Sequence, residues 1–224
     1  MNDYTLHYWP IPFRGHFIRY ALAAAGASWQ EAVTAPGEID YPFRAQPLLV
    51  DHADGRRLSQ APAIAMYLGR KHGLIVEPDE TLRLICDAMD VLYEITRAHG
   101  AQMWDRPAWA DFVGARLTGW MAIHERFCRL QGLSAVAGHV FGTPVPSLAD
   151  LTLTALWHTM VDKLPELRPV LHQAAPHLEA LVDRVAEVPE IARVRADWPG
   201  AAYCGGQIEA SIRAMLAAGG GREA

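Results

Sequence analysis

Apolar and polar positions change their rhythm about a third of the way along this chain of 224 residues. Thr5–Trp9 alternates as a short strand, Pro10, Pro12 and Gly15 break it, and His16–Ala25 has helical spacing. Trp29–Val33 reads as a second strand. The stretch from Ala35 to Gln46 is irregular, because Pro36, Gly37 and Pro42 oppose a long helix. Leu48–Val50 and Arg56–Leu58 flank a turn at Asp54–Gly55 and predict a β-hairpin. Ser59 is placed to cap a helix whose apolar positions Ala63, Ile64, Tyr67 and Leu68 recur at helical spacing and which Gly73 closes. From Pro78 onward only helical periodicities remain, over Thr81–His99, Ala108–Leu130, Leu148–Val161 and Pro176–Glu187. The pattern predicts a βαβ–bridge–ββα front block, a linker at Leu74–Glu80, an all-helical remainder and a low-complexity tail, GGGREA.

Composition narrows the function more than the fold. With 51% hydrophobic and 20% charged residues the chain can bury a sizeable core, and a formal net charge of -5 without a basic run argues against nucleic acid as a partner. Every apolar run is interrupted well short of the ~20 residues that span a bilayer, so no membrane span is expected. The opening MNDYTLHYWPIPFR lacks the charged and apolar regions of a secretory signal. Cys86, Cys128 and Cys204 are too few and too scattered for a disulfide framework, which suits a cytoplasmic protein. Ten histidines form no HExxH or HxH pattern, so no metal site is expected.

Four stretches in order along the chain together resemble the cytosolic glutathione transferases, in particular tyrosine-type, bacterial-like members. They are YTLHYWPIPFRGHFIRYAL, the segment Gln46–Asp51, LSQAPAIAMYLGRKHGL, and Ser147–Asp150, followed by PHLEALVDRVAEVPEI. The resemblance implies an α/β thioredoxin-like domain over residues 1–76 and an all-α helical domain over 77–224. It also implies glutathione as co-substrate, a small hydrophobic electrophile as second substrate and a homodimer.

Carried over residue by residue, the resemblance makes Tyr8 the catalytic tyrosine and Pro47 the cis-proline. Gln46, Pro47, Gln60 and Ala61 would bind glutathione. The chemistry requires a thiolate, and a free thiol titrating near ~8.5 is mostly protonated at neutral pH. A phenol that donates to sulfur favours the charged form. An X-Pro bond in cis would turn the main chain of Gln46 toward the tripeptide backbone. The helix start at Gln60–Ala61 suits a carboxylate, although Ala61 stands where the family has serine.

Each residue also has a plain structural reading. Tyr8 can be a strand-end aromatic, Pro47 the start of an ordinary strand, and Ser59–Pro62 a simple helix start. Arg44 is the one cation on the bridge that could meet the glycyl end. Tyr93, Arg97, Met103, Trp104 and Trp157 are candidates for a second-substrate pocket, with Trp109, Trp120 and Trp198 as packing residues. Ser147 and Asp150 read as a capping box with a folding role worth about 1 to 2 kcal/mol. A carrier that has lost catalysis, supported by Ala61, remains the alternative to an enzyme. A disulfide reductase or peroxidase would call for a cysteine in the first turn, which offers none.

Overall fold

The computed structural model describes residues 2–35, 37–198 and 200–219. All of the GGGREA tail beyond its first glycine lies outside the described residues. Four short strands, β1 (Tyr4–His7), β2 (Trp29–Ala32), β3 (Leu48–Asp51) and β4 (Arg57–Ser59), form one mixed sheet in the order β2-β1-β3-β4. β1 runs parallel to β2 and antiparallel to β3, with Leu6 opposite Glu31 on one side and Leu49 on the other. All four residues of β1 are buried, as a central strand covered on both faces requires. Helices α1 (Gly15–Ala24) and α2 (Ala61–Lys71) pack together beside the sheet, where Leu6, Ile18, Leu22, Leu49, Ile64 and Leu68 share one apolar cluster.

Beyond the linker the chain is helical: α3 (Pro78–Ile95), α4 (106–130), α5 (148–163), α6 (Arg168–Ala174), α7 (Pro176–Ala186), α8 (Pro189–Ala196) and α9 (Gly206–Gly219). α4 and α5 each contain a π-helical stretch, at Phe112–Leu117 and Thr154–His158. Asp105 caps α4 by accepting from the Ala108 N–H at 2.9 Å. Asp150, fully buried, accepts from the Ser147 N–H at 2.8 Å, the Ser147 hydroxyl at 2.6 Å and the Val140 N–H at 2.8 Å. The carboxylate thus fastens both the start of α5 and the loop ahead of it, a wider role than capping alone.

Several boundaries differ from the pattern reading. β1 stops at His7, so Tyr8 and Trp9 fall beyond the ladder, at the entrance to the proline-rich turn. Ser59 is the last residue of β4 and does not cap α2; Gln60 takes the capping position with φ 73° and ψ 121° and makes no side-chain cap bond. α3 ends at Ile95 rather than His99, because Arg97, Ala98 and His99 turn into the left-handed region. α6, α8 and α9 have no counterpart among the pattern-predicted helices: α6 and α8 are short, whereas Ile208, Ile212, Met215 and Leu216 of α9 do recur at helical spacing and the pattern reading passed over them.

Candidate functional site

The turn after β1 is organised from α1. Arg19 is 1% exposed and forms a two-pronged ion pair with Glu31, at 2.9 and 3.0 Å. The same guanidinium donates to the Ile11 carbonyl at 2.8 Å and, more weakly, to the Trp9 carbonyl at 3.4 Å. It also lies 5.6 Å from the Tyr8 ring and 4.2 Å from that of Trp198. Gly15 permits this crowding, because a Cβ there would come within 2.4 Å of the Arg19 Nη1 and 2.6 Å of the Tyr8 ring.

Tyr8 therefore has one place to go. Its ring is buried, 2% exposed, and its hydroxyl oxygen accepts from the Arg14 N–H at 3.1 Å. That bond uses a lone pair and leaves the O–H proton to be donated elsewhere. Burial pushes the phenol up to about 12, against the opposing pull of Arg14, so Tyr8 is a neutral donor at physiological pH.

Tyr8 is among the residues that line a cleft of about 1010 Å³ between the front domain and the helices. On the front side are Tyr8, Trp9, Ile11, Phe13 and Arg14, then Arg44–Pro47 from the bridge and Gln60 with Pro62 from the start of α2. Opposite stand Met89, Asp90 and Tyr93 from α3, Thr96 and His99 from the turn after it, and Cys204–Gly206 with Ile208 at the start of α9.

The Gln46–Pro47 peptide bond is cis. The Gln46 side chain donates to the Thr34 carbonyl, which ties the irregular bridge to the end of β2, while its buried Oε1 has no partner. Gln60 holds its left-handed φ immediately before α2, at a cost of about 1–3 kcal/mol that such positions carry only when surroundings enforce it.

Four of the five residues singled out from sequence, Tyr8, Gln46, Pro47 and Gln60, thus meet on one cleft. Ala61 is 1% exposed and sits behind the rim. Arg44 also reaches the cleft. Of the pocket candidates, Tyr93 lines it, whereas the others do not. Arg97 is bound to Met103 and Gln102, Trp104 packs edge-on against Trp109 and tilted against Phe112, and Trp157 is buried with its Nε1–H on His124.

Trp198 packs against Arg19 and Trp109 lies in the helical core. The sequence reading did not single out Arg14, Asp90, His99 or the Cys204–Ile208 segment, because they come from distant parts of the chain and carry no local pattern. Arg19 lies inside the first resembling stretch, YTLHYWPIPFRGHFIRYAL, without being singled out there.

A second, smaller cleft of about 500 Å³ lies around Asp3, Tyr4, Asp51, Lys71 and His72. Its polar groups are occupied with one another: Tyr4 pairs with His72 at 2.8 Å, and Asp51 accepts from Tyr67 at 2.7 Å and from Lys71. Among the described residues no group of three or more His, Cys, Asp or Glu could hold a metal ion. Nor, among them, is any helix long and apolar enough to cross a membrane.

Residues 80–215 match the family described as glutathione S-transferase, C-terminal domain, and the chain belongs to that family. A curated mouse relative, glutathione S-transferase Mu 6, is 33% identical over 91 residues, which cover 34% of this chain and 41% of that protein. Among solved structures, rat hPGDS complexed with a quinoline superposes with a TM-score of 0.69 at 20% identity, covering 88% of this chain and 97% of that one. The Pi-class glutathione S-transferase of Onchocerca volvulus gives 0.69 at 20% identity over 87% and 92%. The two structures establish the fold: a small mixed sheet followed by a helical domain.

Proposed function

We propose that this chain is a tyrosine-type glutathione transferase that binds glutathione as co-substrate, holds its sulfur as a thiolate and adds it to a hydrophobic electrophile. The observation that carries the reading is Tyr8 at the edge of the large cleft: a neutral phenol whose oxygen accepts from the Arg14 N–H and whose own proton is committed to no partner among the described residues.

A hydrogen bond from the phenol stabilises the thiolate over the thiol, and lowering the thiol pKa by about two units corresponds to roughly 2.7 kcal/mol. The Arg14 guanidinium, also in the cleft and with no carboxylate partner among the described residues, adds positive potential beside the sulfur. Gln46 at the cis bond faces the peptide part of glutathione. The start of α2 at Gln60 and Ala61 receives a carboxylate on its positive end. Arg44 is the cation available for the other carboxylate. Ile11, Phe13, Met89 and Ile208 supply an apolar wall for the second substrate.

Tyr8→Phe tests the reading. Conjugating turnover is expected to fall 10- to 100-fold, and the apparent pKa of bound glutathione, read from thiolate absorbance, to rise by about two units. Unchanged turnover in a folded variant removes Tyr8 from the mechanism. The carrier alternative draws on Ala61 alone, and glutathione binding without turnover by the native protein would select it. A cytoplasmic location and a homodimer complete the proposal. They rest on the disulfide-free cysteines among the described residues and on the dimeric habit implied by the family resemblance, and sedimentation of the purified protein checks the dimer.

A further inference from the structure

The turn that carries Tyr8 is held from both domains. Arg19 gathers it from α1: the buried guanidinium grips both Glu31 oxygens and donates to the Ile11 and Trp9 carbonyls at 2.8 and 3.4 Å. Its Nη1 also lies 3.3 Å from the His16 Nδ1. The remaining neighbour comes from the helical domain. The Arg19 Cζ lies over the Trp198 ring, 4.2 Å from its centroid, closer than the 5.6 Å to the Tyr8 ring.

Trp198 is not part of an apolar core. It is half-buried, just past the end of α8, and joins neither of the two apolar clusters. Its ring meets Arg19 and, edge-on at 6.3 Å, His16. Its backbone is tied on both sides, with the N–H on the Arg195 carbonyl at 3.0 Å and the carbonyl accepting from the Lys163 Nζ at 2.6 Å. α8 itself packs across α1. The helical domain thus fixes an aromatic face over a buried cation of the front domain.

A guanidinium over an indole is attracted by the ring quadrupole, more strongly the less water reaches it. Excluding water also strengthens the two-pronged Arg19–Glu31 pair beneath. Resting on the transferase reading, we propose that Trp198 is a positioning residue: by lying against Arg19 it fixes the Ile11 and Trp9 carbonyls, and with them the turn from which Tyr8 reaches the sulfur of glutathione. Trp198 does not line the cleft and acts only through Arg19. Loss of the ring therefore acts on the chemical step and not on binding, because the bridge and the start of α2 keep their grip on the tripeptide. A loosened turn lets the phenol stray from the sulfur, and a hydrogen bond weakens steeply as it loses alignment.

The test compares native protein with Trp198→Leu, which keeps apolar bulk without an aromatic face, and Trp198→Phe, which keeps a face. The position outside both apolar clusters lets the variants fold. For Trp198→Leu, kcat for conjugation of 1-chloro-2,4-dinitrobenzene is expected to fall about three- to tenfold, with the KM for glutathione within about twofold of native. The apparent pKa of bound glutathione, read from thiolate absorbance, should rise by about half a unit to one unit. Trp198→Phe should recover most of the rate. A leucine variant with native kcat and native thiolate, a rise in KM alone, or a phenylalanine variant as impaired as the leucine one overturns the proposal.

Amide hydrogen exchange supplies a readout that needs no turnover. The Ile11 N–H, on the Trp9 carbonyl at 2.8 Å, and the Arg14 N–H, on the Tyr8 oxygen at 3.1 Å, should exchange at least about fivefold faster in Trp198→Leu. The N–H groups of His72 and Ala175, bonded at 2.9 and 2.8 Å elsewhere in the two domains, should keep their native rates. Faster exchange at all four shows general loosening and overturns the proposal, as does no change at any. Native protein that binds glutathione without ionising or conjugating it defeats the transferase reading, and the exchange rates then decide alone whether Trp198 holds the turn.

Discussion

The cleft and the interior of the helical domain use the same side chains on opposite terms. Inside the helices His124 is fully buried: its Nδ1 accepts from Trp157 at 2.9 Å and its Nε2 lies 3.4 Å from Asp87. Glu125 accepts from His177 at 2.7 Å and from the Leu178 N–H at 2.9 Å, which closes the start of α7. In the cleft, Arg14, Arg44, Asp90 and His99 form no ion pair with the protein among the described residues, and the Tyr8 proton is uncommitted. Folding has supplied partners for Trp157, His124 Nδ1 and Glu125, whereas the cleft keeps its donors and charges for something that arrives later. An unpaired group is costly only when water is excluded, which is why such residues gather on an open cavity.

The strongest way to break this contrast is to remove an interior partner and look for an effect on chemistry. Asp150→Ala strips three buried donors of their acceptor, and stability measured by chemical denaturation is expected to fall by about 3 kcal/mol, above the value for a simple cap. The fraction that remains folded should conjugate at the native rate. A turnover loss in that fraction would place Asp150 in the function.

Acid sharpens the same point. Burial lowers His158 to about 4 and His16 well below its ordinary value, so both are neutral when folded but would take a proton near ~6.5 when unfolded. Their contribution is fully present above the unfolded pKa and is lost as pH falls toward the folded one. Between pH 6.5 and 4 His158 alone should remove roughly 3 kcal/mol of stability. His158→Gln should flatten that slope, and an unchanged slope would show that other groups govern acid unfolding.

The smallest expected effect lies just behind the rim. Ala61→Ser places a hydroxyl at the start of α2 and should tighten glutathione three- to twelvefold, about 0.5–1.5 kcal/mol. Calorimetric titration with glutathione measures it. No tightening would mean that the side chain, 1% exposed, stays turned from the ligand.

Local pattern was enough to place the first strand, though not its end ahead of Tyr8, the hairpin around Asp54–Gly55, and the long helices, because apolar period and turn residues act over a few positions. It failed where a nearby signal was overruled by distant packing. Ser59 looks like a cap, yet pairing with Leu48 draws it into β4 and forces the turn onto Gln60. His99 continues the helical spacing of α3, yet Arg97, bound to Met103 and Gln102, reverses the backbone three residues before a glycine ends it.

What the sequence determined by itself was the order of the front elements and the break between a sheet-bearing front and a helical remainder, because each depends on residues that are neighbours in the chain; the choice of Tyr8 as the reacting phenol came from the family resemblance. What only the tertiary structure decided was the company that phenol keeps. Arg19 reaches back from α1 to hold the turn, α3 brings Asp90 and Tyr93, and α9 closes the cleft with Ile208 from some 200 residues away. No local pattern encodes a meeting of side chains so far apart; it exists only once burial of the two apolar cores has brought their helices together.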